Sequence, residues 1–190
     1  DKSALSDEAK RGAILFYDDA RCSECHSSLL LTDQSAHNLA VPQFGPGKGV
    51  KDDIDPGVML VTGERDDRYS FRTAPLRNIA LTGPYFHNGA YADLRDVIEH
   101  HLHAEEMLYA YIGESLPAEL RATIVKDPEI LASVTEWLDP IIAEMPDLSD
   151  AEIDYLLAFL DSLTSPTAED WEQFVPDSVP SGLPVGGAIE

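Results

Sequence analysis

Two cysteines and a histidine near the amino terminus have the spacing of a cofactor attachment site. They occur as Cys22-Ser-Glu-Cys25-His26, and the chain has no other cysteine. Two thiols three residues apart lie about one helical turn from each other, which suits thioether bonds to the two vinyl groups on one haem edge. The next residue can then turn under the ring and bind the iron. The motif therefore predicts one covalent haem c held by Cys22 and Cys25, with His26 as an axial ligand.

Two other uses of paired cysteines fit the sequence less well. A thioredoxin-like redox pair needs a strand before it and a helix that opens at the first cysteine, and neither pattern is clear here. A zinc site needs two further ligands at similar spacing, but no second cysteine pair exists.

The sixth position of the iron distinguishes an electron carrier from a catalyst, because only a vacant position admits a substrate. On the helix predicted to start near Asp93, His101 shares an apolar stripe with residues such as Leu94 and Val97, and Met107 is its main rival. Helical phase alone leaves both open. The full set of candidates is His37, His87, His100, His101, His103, Met59, Met107 and Met145.

Helix signals define a mainly α fold with long irregular loops and extra C-terminal helices. Caps or first-turn prolines predict helices that start near Ser6, Asp93, Pro117, Asp127-Pro128 and the capping box Ser149–Glu152. The first helix is expected to stop at 18–19. Residues 30–92 show no sustained period, and a stretch of that length usually wraps something or carries function. No alternating strand ladder is apparent.

Composition excludes some classes of function. The chain has 190 residues, is 44% hydrophobic, and carries 35 acidic against 13 basic residues, a net charge of −22. Such a field repels phosphate backbones, so we expect no nucleic-acid partner. No apolar run is long enough to cross a bilayer. No secretory leader is visible, so we expect a mature chain or an excerpt from a longer one.

A longer motif gives a resemblance to a known family. The run from Tyr69 through Arg72, Arg77, Thr82, Pro84 and His87 to Gly89 (YSFRTAPLRNIALTGPYFHNG) resembles the signature of bacterial di-haem cytochrome c peroxidases. That family includes the enzyme that matures the tryptophan-derived quinone of methylamine dehydrogenase. The resemblance also covers the segments 12–16, 31–33, 149–160 and 179–184, and thus nearly the whole chain.

The resemblance implies a cytochrome-c-like haem domain over residues 1–165. It also implies an extended tail over 166–190, packed on that domain or on a missing N-terminal haem domain. The family has two haem domains, and this chain resembles the C-terminal one. The expected function is therefore electron transfer, from a small donor such as a cytochrome c or a cupredoxin to an absent peroxidatic haem that reduces hydrogen peroxide. We expect a periplasmic location and little activity of the chain alone.

The resemblance also implies roles for single residues. The family's sixth ligand, a methionine or a tyrosine, aligns without a gap on His101, which agrees with the helical phase and leaves Met107 as the fallback. Backbone carbonyls of Thr82 and Pro84 align with a calcium site. Arg72 and Arg77 are candidates to pair with haem propionates. Phe86, like Tyr85 and Phe44, either lines the haem or belongs to the loop core, and His87 has no assigned role.

The alternative function is a stand-alone monohaem c-type electron carrier. The size of the chain and the peroxidase-like loop are more than such a carrier needs. A second CxxCH motif upstream in the parent reading frame would distinguish the two.

Overall fold

The chain folds into helices joined by long irregular loops, as the sequence predicts. A computed structural model describes residues 3–48, 54–168, 170, 175–183 and 185. The α-helices of these residues are α1 (Asp7–Tyr17), α2 (Met59–Thr62), α3 (Leu94–Leu102), α4 (Ala104–Ala110), α5 (Ala118–Arg121), α6 (Pro128–Thr135), α7 (Pro140–Ala143) and α8 (Asp150–Asp161).

The predicted helix starts are confirmed where a side chain caps the first turn. Ser6 accepts a hydrogen bond from the Ala9 amide at 3.1 Å, which begins α1. Asp93 caps α3 and Asp127 caps α6 in the same way. The box of Ser149 and Glu152 begins α8. Only Pro117 differs, because it occupies the position before α5 rather than its first turn.

Helices α1 and α8 pack along each other through a buried apolar cluster. Gly12 makes the close approach possible, since a methyl group at its position would overlap the Tyr155 carbonyl. One turn along, the rings of Phe16 and Phe159 pack with their centres 5.1 Å apart. Leu156 and Leu160 complete this buried cluster.

One small sheet was not predicted from the sequence. Strand β1 (Ala36–His37) pairs antiparallel with β2 (Phe71–Arg72), with Ala36 opposite Arg72 and His37 opposite Phe71. Two residues a strand are too few to produce a recognisable alternation. The pair fastens two distant parts of the irregular 30–92 region to each other.

The described part of that region also contains α2, short turns of 3₁₀ helix and two isolated β-bridges, Gly57–Ser70 and Tyr85–Tyr91. These turns cover Arg65–Asp67 and Ile79–Leu81, and a third, Cys22–Glu24, precedes the region. The predicted tail is described only in part, and its described pieces, 166–168, 170, 175–183 and 185, hold no helix or strand. Within the described ranges, no helix has both the length and the apolar character needed to span a bilayer.

Candidate haem-binding site

A cavity of about 480 Å³ lies between the start of the irregular region, α3 and α8. This volume falls within the usual range of cofactor pockets. Both cysteines, His26 and His101 line it. Most of its remaining wall is aliphatic, including Leu39, Val41, Leu76, Val97, Ile98 and Leu156.

The attachment motif is held in one tight turn at the cavity wall. Arg21 adopts a left-handed conformation (φ 54°) that ends the segment after α1 and starts the 3₁₀ turn at Cys22. The His26 amide then donates to the Cys22 carbonyl at 2.9 Å. Nδ1 of His26 donates to the Leu31 carbonyl at 3.0 Å, which fixes the tautomer and leaves Nε2 for a metal.

The two thiols are uncharged in this environment. Burial raises the pKa of Cys22 to about 12 and that of Cys25 to about 11, where the negative charges of Asp33 and Asp139 also contribute. Both are free cysteines. A redox-active thiol requires a thiolate, which this site disfavours. An uncharged thioether sulfur, in contrast, is compatible with the same surroundings.

His101 reaches the cavity from the last turn of α3. Its Nδ1 donates to the Val97 carbonyl, one turn earlier, at 2.7 Å, which again leaves Nε2 as the free nitrogen. The Phe86 ring lies nearly parallel to the imidazole, with the centres 5.6 Å apart and the planes at 20°. Burial lowers the pKa of His101 to about 4, so the ring is neutral and able to bind a metal.

The His26 and His101 rings are separated by 6.5 Å between their centres. Two metal–nitrogen bonds of about 2 Å, with each ring centre roughly 1 Å further out, separate the ring centres by about 6 Å. Burial also lowers the pKa of His26, so both ligands are neutral. With two thiols beside the pair and aliphatic walls around it, the residues present fit a covalently attached, bis-histidine haem.

Three other sixth-ligand candidates, His37, His87 and Met145, also line the cavity. The remaining candidates lie outside its wall. Met107, the fallback, packs on α4 against the apolar cluster that contains Val41 and Tyr91 and is absent from the cavity wall. Met59 and His103 are also absent from that wall.

His100, another sixth-ligand candidate, has no exposed surface and is not part of the cavity wall. Its ring lies between two buried partners: the Tyr91 hydroxyl donates to Nδ1 at 3.1 Å, and Nε2 donates to the Leu39 carbonyl at 2.8 Å. A polar ring with both nitrogens satisfied can be buried on a helix face that the apolar pattern does not mark.

Of the two predicted propionate partners, only Arg72 lines the cavity. Its side chain donates a hydrogen bond to Gln34 at 2.9 Å. Arg77 is exposed and is not part of the cavity wall. Arg21, which the sequence did not suggest, also lines the cavity but is already engaged by Glu24 at 2.6 Å.

Thr82, Pro84, Tyr85 and Phe86 all line the cavity, whereas Phe44 packs on the loop core against Tyr111. The Tyr85 hydroxyl donates to the Ile79 carbonyl at 3.1 Å. Within the described ranges, no hydrogen bond to the carbonyl of Thr82 or Pro84 is present. These two oxygens are therefore available to a cation.

The cavity wall contains a charged group that sequence reasoning missed. His37 lies between two carboxylates, with Nδ1 2.7 Å from Asp139 and Nε2 2.9 Å from Asp33. Asp33 and His37 are four residues apart, but the segment is not helical, so the helical i, i+4 rule does not predict this pair. Asp139 is remote in the sequence, so no local pattern could have identified it.

Comparison with known proteins finds relatives named as MauG proteins and as cytochrome c peroxidases. No family model matches the chain. The methylamine utilization protein MauG of Methylorubrum extorquens is 32% identical over 150 residues, which cover 78% of this chain and 40% of that protein. Cytochrome c551 peroxidase of Pseudomonas aeruginosa is 39% identical over 98 residues, covering 52% of this chain and 28% of that protein.

A solved structure agrees with this result. The crystal structure of a MauG-like protein associated with microbial copper homeostasis superimposes with a TM-score of 0.60 at 28% identity. The match covers 86% of this chain and 48% of that one. The chain thus spans less than half the length of the curated relatives it matches.

Proposed function

Because the chain belongs to the di-haem cytochrome c peroxidase family, which includes the MauG branch, we propose that it is the electron-transfer c-type haem domain of a larger peroxidase-like oxidoreductase. The observation that carries the proposal is the pair of neutral imidazoles, His26 and His101, facing each other across an apolar cavity beside two thiols. One haem c is attached to the chain through Cys22 and Cys25.

When bound, the haem supplies a one-electron redox centre. The residues of the chain determine what that centre can do. His26 and His101 would together hold the haem iron, which would leave no site on it for peroxide. The carbonyls of Leu31 and Val97 hold the two rings in the tautomer that ligation needs, and the parallel Phe86 ring limits rotation of His101.

The aliphatic wall and one cationic side chain complete the site. The wall excludes water and so reduces the reorganisation that accompanies a change of charge. Arg72 provides guanidinium N–H groups for a propionate, since among the described residues its guanidinium donates only to Gln34. Bis-histidine ligation favours the ferric state more than histidine–methionine ligation does, so the potential is low for this family.

The reaction with hydrogen peroxide belongs to a second, peroxidatic haem in an N-terminal domain of the parent protein. Electrons come from a small donor protein, a cytochrome c or a cupredoxin. The net charge of −22 supports a donor with a basic face. Covalent haem attachment supports a periplasmic location.

Calcium at the junction of the two domains is part of the same proposal. Carbonyl oxygens are suitable ligands for this hard cation, and those of Thr82 and Pro84 accept no hydrogen bond from the described residues. Further ligands come from outside the chain. The site is therefore expected to bind calcium firmly only in the parent protein.

The test is to produce the chain and its parent protein in a host that attaches c-type haem. We expect one haem in the chain by mass, a low-spin ferric spectrum, and no steady turnover of hydrogen peroxide with a reduced donor. The parent should contain a second CxxCH motif and turn over. Steady turnover by the chain alone contradicts the electron-transfer role, and a parent without a second motif identifies a stand-alone carrier instead.

A further inference from the structure

Of the four histidines that line the cavity, His87 is the one whose ring makes no hydrogen bond to the described residues. His26, His37 and His101 each make at least one hydrogen bond through the ring. No hydrogen bond to the His87 ring is present among the described residues, and the ring is exposed to the cavity. A polar ring that faces a cofactor pocket without a protein partner is available to the cofactor itself.

The orientation of His87 is fixed by stacking rather than by hydrogen bonds. Its ring lies face to face with that of Phe71, with the centres 3.4 Å apart and the planes at 6°. Burial lowers its pKa to about 4, and the charge of Lys48 acts in the same direction while that of Asp55 opposes it. The ring is therefore neutral, with one N–H to donate.

A chain of contacts places His87 beyond the thioether edge of the cavity. The Sγ atom of Cys25, a carboxylate oxygen of Asp33 and a ring nitrogen of His37 lie within 4.8 Å of one another. His37 is directly opposite Phe71 in the β1–β2 pair, so the two side chains project to the same face. The order from the attachment site is thus Cys25, His37, Phe71, His87.

A haem has two anionic propionates, which lie on an edge other than the one with the vinyl groups. Among the described lining residues, only Arg21 and Arg72 have a permanent positive charge. Arg21 is engaged by Glu24, and Arg72 is a single guanidinium for two carboxylates. A further donor near that edge would complement the second carboxylate, and a neutral N–H can act as one.

We propose that His87 binds a haem propionate by donating a hydrogen bond to its carboxylate from a ring that Phe71 holds in place. This inference rests on the proposed function, because it requires the haem. It assigns to His87 a cofactor-binding role distinct from iron ligation.

The test compares two variants of the full chain with haem attached. His87→Leu removes the donor, whereas His87→Gln keeps an N–H at this position. The haem is labelled with ¹³C at its propionate carboxyl carbons, and redox-difference infrared spectra and the midpoint potential are recorded at pH 7.

We expect His87→Leu to shift the labelled carboxylate band. It should also lower the midpoint potential, because the propionate charge is less neutralised and stabilises ferric iron. His87→Gln should stay close to the unchanged chain in both measurements. Arg65→Gln, at an exposed site away from the cavity wall, is the control and should change neither.

Two outcomes overturn the inference: an unchanged labelled band in His87→Leu, or equal shifts of the band in the Leu and Gln variants. Phe71→Leu gives a second check that keeps His87, and its band should shift part of the way. Failure of the unchanged chain to attach haem contradicts the proposed function instead. The two failures are therefore distinguishable.

Discussion

The imidazoles of His26 and His101 face each other with ring centres 6.5 Å apart, although the residues are 75 positions apart in the chain. Each ring donates from Nδ1 to a backbone carbonyl of its own segment, at Leu31 and Val97 respectively. Two distant parts of the chain therefore each direct an imidazole Nε2 toward the same place in the cavity. This arrangement is difficult to explain by packing alone and is the one that a six-coordinate iron requires.

Replacing His101 with alanine should leave the haem covalently attached but open one axial position. We expect the ferric spectrum to change from low-spin to mainly high-spin, and added imidazole to restore the low-spin form. Optical and electron paramagnetic resonance spectra measure this change. A low-spin spectrum that persists in the variant without added ligand contradicts the assignment.

Met107→Leu is the matched control for that prediction. Met107 packs against an apolar cluster and is not part of the cavity wall, so a side chain of similar volume should be tolerated. The spectrum should remain that of the unchanged chain. A near-infrared methionine–iron band in the unchanged chain would instead identify a methionine ligand.

Removing one cysteine at a time should leave a haem attached through a single thioether. In each bond the thiol adds across a vinyl group, with its hydrogen transferred to the vinyl carbon, so each cysteine acts independently. Cys22→Ala and Cys25→Ala should each show one unreacted vinyl group in the pyridine haemochrome spectrum, and the haem should stay with the chain in denaturing mass spectrometry. The double variant should lose it. Retention of haem through denaturation in the double variant contradicts thioether attachment.

Local signals predicted the parts of the fold that depend on neighbouring residues. The caps at Ser6, Asp93, Asp127 and Ser149 define helix starts because a side-chain oxygen and the orphan amides lie within three residues. The β1–β2 pair depends on contacts between residues about 35 positions apart, and its strands are too short to have a pattern.

The candidate site likewise contains residues that local patterns predict and residues that depend on tertiary contacts. The attachment motif and the phase of His101 are local patterns and could be read from the sequence. The burial of His100 depends on Tyr91 and on the Leu39 carbonyl, and the clamp on His37 depends on Asp139, which is contributed by the distant start of α7. Partners that only tertiary folding brings together leave no local trace.

Stability should decrease on the alkaline side because of His37. Burial alone would lower its pKa, but hydrogen bonds to Asp139 and Asp33 and their negative charges outweigh this effect and raise it. Below the pKa of about 6.5 that His37 has in the unfolded chain, its imidazolium is fully paired with the two carboxylates. The stabilisation of the folded chain by this pairing is lost as the pH rises through the higher pKa of the folded state. The charged groups that face the ring are these two carboxylates, and the neighbouring Cys25 thiol is uncharged.

Denaturant titrations of the haem-bound chain at several pH values between 6 and 9 measure this loss. In His37→Gln, which cannot be protonated, the unfolding free energy should be lower at pH 6 and should depend less on pH above it. His103→Gln, at a more exposed histidine outside the cavity wall, should keep the dependence of the unchanged chain. The same slope in His37→Gln as in the unchanged chain would show that another group is responsible.

Gly12→Ala should destabilise the chain through the contact of α1 with α8. In an exposed helix the substitution would be favourable, because alanine has the higher helix propensity. Here the new methyl group overlaps the Tyr155 carbonyl, and since that atom belongs to the α8 backbone, the helices must move apart. Overpacking of this kind costs about 1–3 kcal/mol or more, and the movement also displaces the packed rings of Phe16 and Phe159.

Glu8→Ala, on the exposed side of α1, should change the unfolding free energy by less than about 0.5 kcal/mol. Denaturant unfolding compares the two variants, and a Gly12→Ala chain as stable as Glu8→Ala would exclude the close α1–α8 contact.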